Sequence, residues 1–449
     1  MAEQRTMVKD LTTGSVARQL LVFAMPLFVS NALQAVYNMV DMIIVGQFIG
    51  GYGMSAVSIG GDLLHLLTFV SMGFASAGQV IIARHVGECR MDEVRETIGT
   101  LFSFLLAASV LISVVCFAFR YPIMHALNTP PESFSYAMDY MVTCVVGLVF
   151  IYGYNIVSAV LRGMGDSKRP FVFVGVAAIL NIILDYLFVV IFHMEVFGAA
   201  LATVIGQGVS FVSSLIYLYI KRQSFGFDFR LRSFAIHSRT LKPLVMLGVP
   251  MAIQAAAVNF SKVLLMSWIN LEGVLYSALA GIFNKINVVG GVVSMSFTAA
   301  GSSMVGQNLG AKKYDRIPRI LATITVIGLA LFTAMTLILV ASPKMVFGMF
   351  TSDSAVLSLA GILVVPMILN FYGAATRSIS FALINGSGNT KLNLAVALID
   401  GIVMRIGLAA LLCFGLGMGS LGCWYGDAIA GFVPLFIGLV FYLSGKWKK

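Results

Sequence analysis

The chain has 449 residues, of which 59% are hydrophobic and only 11% charged, with a mean hydropathy of +0.95. A soluble domain carries about 25% charged residues, so a soluble enzyme or binding module is excluded and an integral membrane protein is implied. The net charge of +10 raises the question of a nucleic-acid partner, which the placement of the basic residues rules out below.

A bilayer span needs about 20 apolar residues. Runs of that kind fall near 16–46, 55–80, 97–119, 134–161, 170–192 and 197–220 in the first half. In the second half they fall near 243–268, 276–305, 320–341, 355–384, 392–414 and 420–443. The reading is an all-α polytopic membrane protein with twelve spans. The runs do not alternate every second residue, so a β-barrel is excluded. The N-terminus is polar and the first run far exceeds a signal h-region, so no cleavable signal is expected. Cys89, Cys116, Cys144, Cys413 and Cys423 are dispersed without CxxC spacing and predict neither a disulfide framework nor a metal site.

With both termini placed inside, 23 of the 29 Lys and Arg residues fall on inner segments, including Arg5, Lys9 and Lys449. Arg120 and Lys344 alone fall on outer loops, and Lys262, Lys285, Arg377 and Arg405 within spans. This is the positive-inside pattern, which predicts cytoplasmic termini in the cell membrane and explains the basic charge without a nucleic acid.

The chain is also written twice, about 223 residues apart. Ser71-Met72-Gly73-Phe74 answers Ser294-Met295-Ser296-Phe297, and Gly163-Met164-Gly165-Asp166-Ser167-Lys168 answers Gly386-Ser387-Gly388-Asn389-Thr390-Lys391. Repeats in an apolar chain are the usual build of a secondary transporter. The expected domains are an N-terminal lobe over 1–222, a cytoplasmic linker over 223–240 and a C-terminal lobe over 241–449. Arg84–Glu96 and Lys312–Arg319 are expected to form short helices on the inner surface. Pro26 and Pro250 interrupt long runs at repeat-related places and are candidate hinges. The GxGD spelling at Gly163–Asp166 resembles an intramembrane protease motif, but it lies in a basic loop and its repeat partner carries Asn389. It reads as a Gly-rich turn.

Ionisable groups within spans are costly and point to function. The first run carries Asn31, Gln34, Asn38 and Asp41, spaced as one stripe of a helix. The fifth carries Asn181 and Asp185, and the sixth Thr203 and Gln207, each pair at i, i+4. At about 1.5 Å per residue, Asp41, Asp185 and Thr203 all lie roughly 10 Å below the outer helix ends. Oxygen ligands of this kind suit a hard cation such as Na⁺, and two neighbouring carboxylates can hold a proton instead. Across the repeat these positions become Leu264 or Leu265, Met404 or Arg405, Leu408 or Ala409, and Gly426 or Asp427. The second half has lost the acidic pocket. In its place Arg405 and Asp427 are expected to form an internal ion pair near Lys262.

Two six-helix repeats, a proline in the first helix, Val40-Asp41-Met42-Ile43-Ile44-Val45-Gly46, Asn181-Ile182-Ile183-Leu184-Asp185 and Gly198-Ala199-Ala200-Leu201-Ala202-Thr203 resemble the multidrug and toxic compound extrusion (MATE) transporters. The resemblance implies two pseudo-symmetric six-helix lobes around a central cleft, and antiport of organic cations or drug-like molecules against Na⁺ or H⁺. It implies that Asp41, Asn181, Asp185 and Thr203 bind the coupling ion, and that Gln34, Tyr37 and Asn155 line the substrate cavity nearby; Asn38, on the same stripe, joins that cavity. The family's alternative coupling scheme uses second-lobe carboxylates, where this chain offers Asn259 and Arg377. The expected protein is a monomeric exporter in the bilayer, without a cofactor and without enzymatic chemistry. The competing reading is a flippase or exporter of lipid-linked or anionic metabolites, which Lys262, Arg377 and Arg405 would favour.

Overall fold

The computed structural model describes residues 8–448; Arg5 and Lys449 of the basic tally lie outside them. The described residues are helical throughout, with no strand. Eleven helices are long and apolar enough to cross a membrane, and a bent pair makes a twelfth span. We number them α1 (Val16–Phe48), α2 (Gly51–Gly87), α3 (Met91–Ala118), α4 (Pro131–Val146 with Leu148–Gly163), α5 (Lys168–Ile191) and α6 (Glu195–Ile220). The second set is α7 (Ser238–Asn270), α8 (Val274–Gly310), α9 (Arg316–Ala341), α10 (Ala360–Ser387), α11 (Thr390–Gly415) and α12 (Ser420–Leu443). The chain is a multi-pass membrane protein.

The repeat is visible in the turns. Gly50 joins α1 to α2 with φ +85° and Gly273 joins α7 to α8 with φ +103°, backbone that L side chains seldom adopt. Cys89 and Lys312, the corresponding residues after α2 and α8, both sit at φ +58°. Two expectations fail in detail. The fourth run is not one straight helix: it bends by 45° at Gly147, against which Val204 of α6 packs so closely that any Cβ would lie 2.5 Å from it. Arg84–Glu96 and Lys312–Arg319 are not separate surface helices either. They are the tight turns and flanking ends of α2/α3 and α8/α9, because the long helices run on beyond their apolar stretches.

The packing divides the chain into two compact units. The first is Met25–Gly248 with the described residues up to Asp10, and the second is Leu11–Ala24 with Val249–Lys449. The chain therefore changes unit beside Pro26 and again beside Pro250, inside α1 and α7. In the first unit α2 packs on α3 and α4, and α4 and α5 pack on α6. The segment after α6 lies on α3, where Phe227, Phe229 and Phe234 cluster edge to face and Phe102 meets Phe234 at 5.9 Å. The second unit repeats the scheme, α8 packing on α9 and α10, and α10 and α11 on α12. Its own strap is the segment before α1, held where the Leu11 amide donates to Gln307 and Asn308 donates to the Leu11 carbonyl.

Candidate functional site

In the first unit, α1 brings an acid, and α5 an amide and a second acid, into an apolar wall. Asp41 is 7% exposed, Asn181 3% and Asp185 0%. Around them stands a cluster that includes Val45, Val57, Tyr140, Cys144, Val189 and Val196. Asp41 and Asp185 lie within electrostatic range of each other, and Tyr37 and Tyr140 lie within range of both. Asp41 Oδ1, both polar atoms of Asn181 and both carboxylate oxygens of Asp185 are buried with no hydrogen-bond partner among the described residues. A buried polar atom left unmatched costs about 1–3 kcal/mol, and a buried unpaired carboxylate more. Packing alone does not explain three such side chains in one place. A cation or a proton would satisfy them, and oxygen-rich donors of this type fit a hard cation.

Beside this group is a small cavity with about 10 Å³ open to a water-sized sphere, room for about one water. Gln34 and Tyr37 of α1, Ala177 and Asn181 of α5, and Thr203, Gly206 and Gln207 of α6 line it. α6 comes close to α5 at Gly206, where a Cβ would sit 3.3 Å from the Ala177 carbonyl. Gln207 donates to the Tyr37 hydroxyl across the cavity at 3.5 Å. Just after Asp185, residues Tyr186–Ile191 widen into a π-helix, a local form that often accompanies functional sites.

The remaining expected residues fall in different surroundings. Asn38 is exposed and is not among the side chains that line this small cavity. Asn155 is half-buried and donates to Ser71 at 3.2 Å, joining α4 to α2. Asp166 of the GxGD turn is 1% exposed and takes ion pairs from Lys9 and Arg169, a structural role. Gln207 and Tyr140 are site neighbours outside the expected set. The i, i+4 spacing of Gln207 from Thr203 was the available signal for the first.

The equivalent region of the second unit is closed and charged. Gly426 of α12 meets α11 so tightly that a Cβ would lie 2.4 Å from Ala409 backbone atoms. Arg405 is 1% exposed; it donates to Asp427 and, at 3.1 Å, to Asp400. Arg377 of α10 approaches Asp400 at 3.6 Å, and Asn370 donates to Asp427 at 3.0 Å. Lys262 of α7 is half-buried within electrostatic range of all four charged groups.

Comparison with known proteins places this geometry in context. A family model described as MatE matches residues 26–187 and 250–420. The probable multidrug resistance protein YpnP of Bacillus subtilis is 29% identical over 69% of this chain and 68% of its own. The probable multidrug resistance protein NorM of Thermotoga maritima is 24% identical over 97% of this chain and 94% of its own. Among solved structures, a MOP superfamily transporter from Pyrococcus furiosus, whose report describes a reversed polarity of its binding pocket, superposes with a TM-score of 0.89 at 21% identity. The match covers 100% of both chains.

Proposed function

The chain belongs to the MatE family, a family of membrane transporters and not of enzymes, and from that premise we propose that it exports drug-like organic cations in exchange for Na⁺ or H⁺. The observation that carries the reading is the set of unmatched polar atoms on Asp41, Asn181 and Asp185. Those three side chains, with the Thr203 hydroxyl, hold the coupling ion. Gln34 and Tyr37 stand next to them, so a cationic substrate entering there competes for the same negative charge. Coupling needs no more than that competition, provided the ion and the substrate prefer different states of the transporter. Relatives named for multidrug resistance support the substrate class. The distribution of basic residues supports cytoplasmic termini, and one chain supplies the whole site, so a monomer suffices.

The test is accumulation of a fluorescent organic cation by inverted membrane vesicles, with the Na⁺ and pH gradients imposed separately. One gradient drives uptake in the native protein, and Asp41→Asn abolishes it without loss of folded protein. Uptake by that variant at the native rate would sink the assignment.

A further inference from the structure

The ionic cluster of the second unit does not balance. Lys262, Arg377 and Arg405 bring three positive charges to the two carboxylates of Asp400 and Asp427. Asp427 accepts from Arg405 and Asn370, and Asp400 accepts from Arg405 through Oδ1, while its Oδ2 stands 3.6 Å from Arg377 without a hydrogen bond. Lys262 makes no ion pair or hydrogen bond among the described residues, although it sits within range of the whole cluster. Arg377 Nε is buried with only the Asp400 carboxylate near it, at 3.6 Å and too far for a hydrogen bond, and Arg405 Nε is buried without an acceptor, Arg405 itself being 1% exposed. Surplus charge at this depth in an apolar span is expensive unless something matches it.

We infer that Lys262 and Arg377 form an anion site that takes one singly charged carboxylate or phosphate group. Such a group would bring the cluster to neutrality and supply the missing acceptors. Guanidinium groups present a planar fork of donors that matches carboxylate and phosphate oxygens, and Lys262 adds a mobile point charge. The two are suited to opening toward a ligand, since Arg377 is 20% exposed and Lys262 half-buried while Arg405 is sealed behind them. Arg405 then acts as the fixed element that holds Asp400 and Asp427 away from the ligand. The site is independent of the acids in the first unit, and so of the coupling reading above.

The experiment is thermal melting of the purified full chain in phosphatidylcholine nanodiscs, titrated with inorganic phosphate or with benzoate. A second arm uses nanodiscs containing phosphatidylglycerol. The expected result is a saturable rise in melting temperature in at least one arm. Phosphate or benzoate acting alone identifies a soluble ligand, and phosphatidylglycerol acting alone a lipid headgroup. Lys262→Gln, whose side chain has no partner to lose, weakens the response about tenfold, as does Arg377→Gln, while Asp41→Asn leaves it intact. No response from the native protein in any arm, or a native response from Lys262→Gln, would overturn the proposal. Dye transport by the vesicles above is read separately, so failure of either idea leaves the other standing.

Discussion

The two halves of this protein each bury two acids within their spans and treat them in opposite ways. In the first, Asp41 and Asp185 stand in an apolar cluster with carboxylate oxygens that no side chain or backbone group satisfies. In the second, Asp400 and Asp427 are tied to Arg405, and α12 lies directly against α11 where Gly426 meets Ala409. One fold has thus been given a region whose charge awaits an outside partner and a region whose acids are already neutralised. Buried acid alone does not mark a site; buried acid without a partner does.

The largest expected effect separates the halves by function. Asp185→Asn lowers gradient-driven dye transport about 100-fold, at the upper end of ordinary coupling energies. Its melting temperature stays level or rises, because the substitution removes a buried charge that has no partner. The mirror experiment in the second unit is Arg405→Met, which removes the one donor that Asp400 and Asp427 share. It costs about 3–5 kcal/mol of stability in denaturant melts, and a variant as stable as the native protein would show that the cluster is not what it looks like.

Next comes the closure itself. Gly426→Thr puts a branched side chain where α12 lies hardest against α11. With Ala409 backbone 2.4 Å from the new Cβ, the helices must part, at a cost of about 3 kcal/mol. The smallest effect lies outside the membrane. Glu88, between α2 and α3, is partly buried, which pushes its carboxyl up, but hydrogen bonds from Arg90, His85 and Arg84 outweigh this and hold it below its ordinary value of 4.5. Its contribution is therefore full at neutral pH and is lost as the pH falls past that value and through the lowered one. Glu88→Gln should cost about 0.5 kcal/mol or less at pH 7, since the pairs are near the surface. It should flatten the acid limb of the stability profile while leaving transport unchanged.

Much of this was legible in the residues. Long apolar runs give the spans, and the offset between like motifs gives the repeat, because both are properties of composition and spacing. Asp41, Asn181 and Asp185 stood out because polar groups in apolar runs are rare. What escaped depends on contact. The bend at Gly147 is set by Val204 on another helix, and an apolar run reads the same whether straight or bent. The role of Asp400 was hidden because its partners, Arg377 and Arg405, come from two different helices. Only packing reveals that Leu11–Ala24 belongs to the second unit.

The most direct test of the account is equilibrium binding of the coupling ion to purified protein, by radioactive Na⁺ in one series and by proton release into weak buffer in the other. The native chain should bind one of the two and give it up when an organic cation is added, and Asp41→Asn with Asp185→Asn should bind neither. An unchanged ion stoichiometry in that double variant would contradict it.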